Sequence, residues 1–519
     1  MDERPRFSKP PLATKWSTRI LILSLIGILF LTLFPFRFRL PAHLPANRIP
    51  FLLGAWEKDA AAFDAFLNVL LFVPFGFAIA AKRRERGESW PATLVWAFAS
   101  GALLSYAIEF VQLYIPMRDS GWQDVITNTS GSVVGFILFD VYGPATLRLL
   151  SASERALEKM LAWPRDAVTA AAYLALWIAI SIPLQMQTRL SNWNADSLLV
   201  VGNDPAGSFS TAWKGQLLRL QIWDRAIGAD PARKLAAGGP GGDTRGYLAD
   251  YDFSKPKQLV DQRKFLPELS WVPRVPPQGD STYLALDGRS WLISKEPAAQ
   301  LVPSLQRTNQ FAIRVVCKPE EIAGSDGRIV GIWERSGPLE LRIRQEDASL
   351  IIFFRNPLSI ARSDLVWRFP DFFEPDRRRD ILFSYDGSSA SLYLDGKHVD
   401  RDYHLGPGTA LTRTFRTVRT DELNGYNDIY YFLVFFPGGI LIGIAARSIA
   451  LRSRTVLSFV VLGSFFLPAL ALELILVSVS GRAVSFVYLL LSVLLTMGGA
   501  AWINADLRFG AKSDSQTAC

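Results

Sequence analysis

Eight apolar runs, each near the length a helix needs to cross a bilayer, dominate the sequence and fix its class. They lie at about 17–36, 63–81, 92–115, 124–143, 166–186, 427–446, 455–479 and 484–503. A hydrocarbon core of about 30 Å requires roughly 20 mostly apolar residues in a helix, whose backbone polar groups must be satisfied internally. The run at 92–115 carries Glu109 and Gln112, and that at 124–143 is amphipathic early and apolar late. The pattern predicts a polytopic α-helical membrane protein of about eight spans. The first run lacks a small-residue cleavage site and ends in Leu33-Phe34-Pro35-Phe36-Arg37, so it reads as a retained span.

Charge supplies the orientation. The 519 residues carry a net charge of +8, but residues 190–426 are almost neutral, with 31 Lys/Arg against 30 Asp/Glu. The basic surplus therefore flanks the apolar runs, where it reports membrane orientation rather than nucleic-acid binding. With the N-terminus inside, the cytoplasmic segments hold 18 Lys/Arg and the short outer segments six. That asymmetry predicts cytoplasmic N- and C-terminal segments (1–19 and 504–519) and places residues 187–426 outside the cytoplasm. Two cysteines, Cys317 and Cys519, exclude a disulfide framework. Three histidines leave little for a metal centre, and no cofactor is expected.

Between the fifth and sixth spans, over 190–424, the periodicity becomes strand-like. Phe311-Ala312-Ile313-Arg314-Val315-Val316 and Leu339-Glu340-Leu341-Arg342-Ile343-Arg344 alternate, and Asp-Gly pairs recur at 287–288, 326–327, 386–387 and 395–396. Short strands separated by such dipeptides predict hairpins and an all-β sandwich. The run Ile381–Gly387 followed by Ser391–Lys397 resembles a hairpin of laminin-G or concanavalin A-like jelly-roll domains. Trp213–Ile227 resembles their closing strands. In that family the second pattern follows the first, and here it precedes it, which implies a circularly permuted sandwich with its ends in adjacent strands. The resemblance implies a glycan or protein ligand. Asp386 and Asp395 occupy turn positions that the backbone already explains. Trp271, Trp291, Trp333 and Trp367 suit either sugar stacking or the core, and core is favoured for most of them.

Polar residues gather at one end of the first spans. Asp64 and Asn68 open the second span, Glu109 and Gln112 close the third, Arg118 stands in the turn, and Asp124 and Asn128 open the fourth. The up-down topology puts all seven near the outer leaflet, where ionisable groups usually face a bundle interior or a wet cavity. Two readings stand side by side. Asp64 and Asp124 can serve as partners of helix N-termini, and Glu109 with Arg118 as an ion pair locking the turn. Alternatively, the seven form a ligand site. Gly131 and Gly135 are spaced for close helix contact.

These residues carry a second resemblance. Asp64, Asn68 and Phe72-Val73-Pro74-Phe75-Gly76, then Glu109-Phe110-Val111-Gln112, then Arg118 and Asp124–Gly131 resemble the VanZ-like family of bacterial membrane proteins over about 20–143. The resemblance implies a bacterial plasma-membrane protein with a cell-envelope role and does not itself supply a reaction. A membrane domain at 20–143, a fifth span at 166–186 and three C-terminal spans at 427–503 complete the expected organisation. The expected partner is a membrane lipid or lipid-linked glycan, with nucleic acid excluded. The alternatives are an enzyme acting on a lipid-linked phosphate or sugar at the outer leaflet, with Glu109 or Asp124 as base and Arg118 holding the anion, or an adhesive or structural protein.

Overall fold

The computed structural model describes residues 13–33, 62–115, 121–160, 165–205, 209–238, 246–254, 259–273, 283–335, 339–359, 365–399, 402–415, 420, 423–450 and 454–504. The chain divides into two compact units, Met1–Asp166 with Asn504–Cys519, and Ala167–Ile503. Among the described residues, eight helices are long and apolar enough to cross a membrane, as the apolar runs predict.

The first unit contains helices α1 (Ala13–Leu33), α2 (Ala62–Glu85), α3 (Trp90–Gln112) and α4 (Trp122–Met160). Pro91 starts α3 where a missing N–H costs nothing, and Lys82, Arg83 and Arg84 crowd the last turn of α2, where the helix dipole favours cations. Helix α4 runs well past the apolar stretch that ends at 143. The extension is polar, and its Glu154 pairs at 3.0 Å with Arg19 of α1.

Helices α2 and α4 run parallel in close contact. A Cβ built on Gly131 would overlap the Val69 carbonyl oxygen, one on Gly135 that of Val73, and one on Gly76 that of Ser132. In hydrocarbon the hydrophobic effect does not drive helices together, so close approach through small residues supplies the packing. Outward-facing Phe66, Val95 and Leu103 are well exposed on the bundle, as a lipid-facing surface requires.

The second unit opens with α5 (Arg165–Met186) and continues into strands β1 (Ser197–Val201), β2 (Lys214–Trp223), β3 (Tyr247–Asp252), β4 (Leu269–Val272), β5 (Leu284–Asp287), β6 (Trp291–Ser294), β7 (Phe311–Pro319), β8 (Asp326–Glu334), β9 (Leu339–Glu346), β10 (Ser349–Phe354), β11 (Val366–Phe369), β12 (Arg379–Tyr385), β13 (Ser389–Leu394), β14 (Lys397–His398) and β15 (Tyr403–His404). One sheet has the order β11-β10-β9-β8-β1-β6-β4. The other runs β14-β13-β12-β7-β2-β3, with β15 beside β13 and β5 beside β2. Leu199, Val201, Ile343 and Ile352 of the first sheet share one core with Leu217, Ile313, Val315 and Phe383 of the second, which makes a β-sandwich. The hairpin expected from 381–397 forms as β12–β13, with Ile381 opposite Leu394.

Three expectations are corrected. The insert is not all-β, because short helices α6 (Ala229–Ala236), α7 (Leu301–Thr308) and α8 (Pro407–Phe415) interrupt it. Each is about two turns long and amphipathic; α7, for instance, buries Leu301, Val302 and Leu305. The pair Asp326-Gly327 lies inside β8 rather than in a turn, and the glycine is explained by the Trp213 backbone, whose Cα would lie 2.6 Å from an added Cβ. The first and last strands, β1 and β15, lie in different sheets and are not neighbours.

The ends of the insert still meet, through the helices that carry them. The remaining helices are α9 (Leu423–Ala450), α10 (Arg454–Ser480) and α11 (Phe486–Asn504). Trp177 of α5 and Tyr430 of α9 make an edge-to-face contact at 5.7 Å, Tyr430 hydrogen-bonds Ser181, and the Tyr173 hydroxyl donates to the Leu433 carbonyl. The sandwich core continues without a break into Tyr430, Val434 and Phe435 of α9, Leu472 and Leu476 of α10 and Val493 of α11.

If the α2–α4 contact organises the first bundle, Gly131→Val and Gly135→Val should each lower stability in detergent by about 1–3 kcal/mol, as overpacking does. Gly27→Ala, which adds a methyl where nothing lies within 4 Å, should leave the thermal melt unchanged.

Candidate functional site

The α2, α3 and α4 ends bring most of the expected polar residues together. Asn68, on the second turn of α2, donates through Nδ2 to Asp124 Oδ1 at 2.8 Å. Asp124 lies in the first turn of α4, where its charge also complements the helix N-terminus. One turn further along α4, Asn128 donates through Nδ2 to Ser105 Oγ on α3 at 2.9 Å. Four residues beyond Ser105, Glu109 accepts the Gly121 backbone N–H at 3.1 Å, so the end of α3 holds the start of α4. Gln112 turns away from this group and donates to the Thr32 carbonyl of α1 at 2.9 Å. The Asp64 side chain and the whole of Arg118 lie outside the described residues.

Burial gives the group its chemical weight. Glu109 is 1% exposed, Asn128 2% and Ser105 fully buried, whereas Asn68 and Asp124 are partly open. The carboxylate–amide bond of Asp124 is charge-assisted and so among the stronger kind. Asn128 is incompletely satisfied, because its Oδ1 is buried without a hydrogen-bond partner among the described residues. A buried acceptor left unmade costs about 1–3 kcal/mol, and a donor from a ligand or a water would recover it. The arrangement thus presents acceptors beside a carboxylate at one end of an apolar bundle. It can hold hydroxyl or amide donors. Ser105 was not singled out from sequence, although its position four residues before Glu109 puts it on the same helical face.

A glycan hydrolase of the acid-pair type needs two carboxylates facing one groove. Glu334 and Glu340 come together at Asn194, whose Nδ2 donates to Glu334 Oε1 at 2.6 Å and whose backbone N–H donates to Glu340 Oε1 at 3.1 Å. Burial pushes the Glu340 carboxyl up to about 7 against the opposing pull of Arg355. Glu340 is fully buried, so the pair anchors the chain after α5 rather than facing a substrate. Asp386 and Asp395 hold turns as expected: Asp386 Oδ1 accepts the Ser388 and Ser389 amides, and Asp395 Oδ1 accepts that of Asp380. Trp367 is fully buried in the main core and Trp271 packs against its edge. Trp291 and Trp333 join a smaller cluster with Leu198 and Val200.

The Asn68–Asp124 bond is testable by a double-mutant cycle on thermal stability in detergent. Asn68→Ala and Asp124→Ala should each cost about 1–3 kcal/mol, with a coupling of roughly 1 kcal/mol between them. Asp124→Asn retains an oxygen acceptor and should lose less than Asp124→Ala.

Comparison with known proteins bears on this bundle alone. No curated protein and no solved structure matches the chain. Residues 19–143 match the VanZ/LLP1 family model, and the first membrane segment, which holds the polar network, is therefore VanZ-like.

Proposed function

We propose that this is a multi-pass protein of the bacterial plasma membrane that recognises or handles an envelope glycan or glycolipid. The observation that carries the reading is the polar network at the joined ends of α2, α3 and α4, with a carboxylate, a second buried carboxylate and the unpartnered Asn128 carbonyl gathered in an otherwise apolar bundle. Polar groups at such depth are costly to retain and are usually functional. The VanZ-like segment supports an envelope role.

The orientation rests on the loop charges, 18 inside against six outside. It puts both terminal segments in the cytoplasm and residues 187–426 outside, with the polar network at the outer leaflet. A lipid-linked sugar would set its hydroxyls against Asp124, Asn128 and Glu109, with Arg118 supplying the cation for the phosphate that links sugar to lipid. The sandwich, in this reading a permuted relative of laminin-G and concanavalin A-like domains, would bind a glycan or protein ligand outside.

The test is native mass spectrometry of the full chain released from nanodiscs loaded with bacterial lipid extract. A sugar-bearing lipid should remain bound to the unaltered protein and be lost, by tenfold or more in occupancy, from Glu109→Gln and Asp124→Asn proteins that still melt cooperatively as folded species. Equal retention by all three proteins, or retention of no sugar-bearing lipid, would contradict the proposal.

A further inference from the structure

Independently of that reading, we propose that a second site, at the junction of the sandwich with helices α9–α11, binds a primary ammonium group such as the headgroup of an aminolipid. A cavity of about 210 Å³ opens where the end of α5, the β12–β13 turn, strand β15, the first turns of α9 and the α10–α11 turn meet. None of the polar-network residues of α2, α3 and α4 lines it.

The lining is rich in acceptors. Gln185 is fully buried; its Nε2 donates to Thr188 Oγ1 at 3.0 Å, while its Oε1 has no hydrogen-bond partner among the described residues. Asp386 uses Oδ1 for the amides of Ser388 and Ser389, at 2.9 and 2.6 Å. Its second oxygen accepts no hydrogen bond among the described residues and remains for a ligand. The aromatic wall is made by Tyr431 and Tyr488, stacked at 4.6 Å with 7° between their planes.

Charge selects among ligands. Arg482 lines the cavity, but both of its terminal nitrogens are held by Glu473 at 2.7 Å, and one also donates to the Ala483 carbonyl at 3.0 Å. That pair is neutral and almost wholly buried, so it offers no cation to a phosphate or carboxylate. Among the described lining residues Asp386 is then the one carboxylate, and His404, which also lines the cavity, has its Nδ1 held on Ser389 Oγ at 2.6 Å. A primary ammonium brings one positive charge and three donors, which suit the Asp386 carboxylate and the Gln185 carbonyl that line the cavity. A neutral polyol would leave the carboxylate uncompensated. A quaternary ammonium would supply charge and leave Gln185 unpaired.

The experiment compares headgroups on the full chain in nanodiscs, using the shift of the thermal melt and the apparent Kd for added phosphatidylethanolamine, phosphatidylcholine and phosphatidylglycerol. Phosphatidylethanolamine should bind at least tenfold more tightly than either other lipid. Asp386→Asn, which keeps Oδ1 for the two turn amides, should erase that preference, as should Gln185→Leu. Water-soluble glycerophosphoethanolamine identifies the source. Competition by it shows that the headgroup suffices, and absence of competition with lipid binding intact shows that the acyl chains are also required; either result supports the ammonium site. Equal affinity for the three lipids would overturn the proposal, as would a preference that survives in a folded Asp386→Asn or Gln185→Leu protein. The ranking on the unaltered chain decides the matter even where a variant does not fold.

Discussion

A single apolar core running from the two sheets into α9, α10 and α11 is the feature on which the second unit depends. An extramembrane insert between two spans could hang from flexible tethers, and here it does not. Tyr385 of β12 donates to the Thr188 carbonyl at the end of α5, and Asn427 of α9 donates to the His404 carbonyl of β15. The stem that carries the insert is closed by the contacts of α5 with α9. Chain that leaves the helices is thereby returned to them, although the first and last strands belong to different sheets. Close seating of sheets on helix ends also creates the junction cavity, because a flat array of strands and a cluster of helix ends do not fill space completely.

The two polar places differ in kind. In the VanZ-like bundle, polar side chains from three helices bond one another and nearby backbone, and among the described residues of this network the Asn128 carbonyl is left over. At the junction, the strongest charges cancel as the Glu473–Arg482 pair, and Ser485 donates its amide to the same carboxylate. Breaking such a pair costs far more than the pair itself contributes, so it acts as a fixed wall rather than a binding group. Binding capacity then rests with Asp386 and Gln185, which no ion pair engages among the described residues.

Much of this was legible in the sequence, for identifiable reasons. Length and apolar composition find membrane helices because the hydrocarbon core imposes both, and all eight apolar runs become helices. Alternation found β7 and β9, and the Asp-Gly turn at 386–387 found the β12–β13 hairpin. Asp326-Gly327 misled because a glycine needed for close approach of Trp213 looks the same as one needed for a turn. Helices of two turns, such as α6 and α7, carry too few residues for their period to stand out. Asn68 and Asp124 could be placed at one end by topology, but their bond spans 56 positions and needed coordinates. The junction cavity was invisible, since its residues come from segments whose meeting no local pattern encodes.

The side of the membrane that the sandwich occupies decides the proposed orientation most directly. Lys397, exposed on the short strand β14, is a suitable probe position, and the native Cys317 is buried. A Lys397→Cys, Cys519→Ser protein treated in spheroplasts with a membrane-impermeant maleimide should be labelled at once and to completion. Labelling only after the plasma membrane is lysed would put the sandwich in the cytoplasm and contradict the proposed orientation.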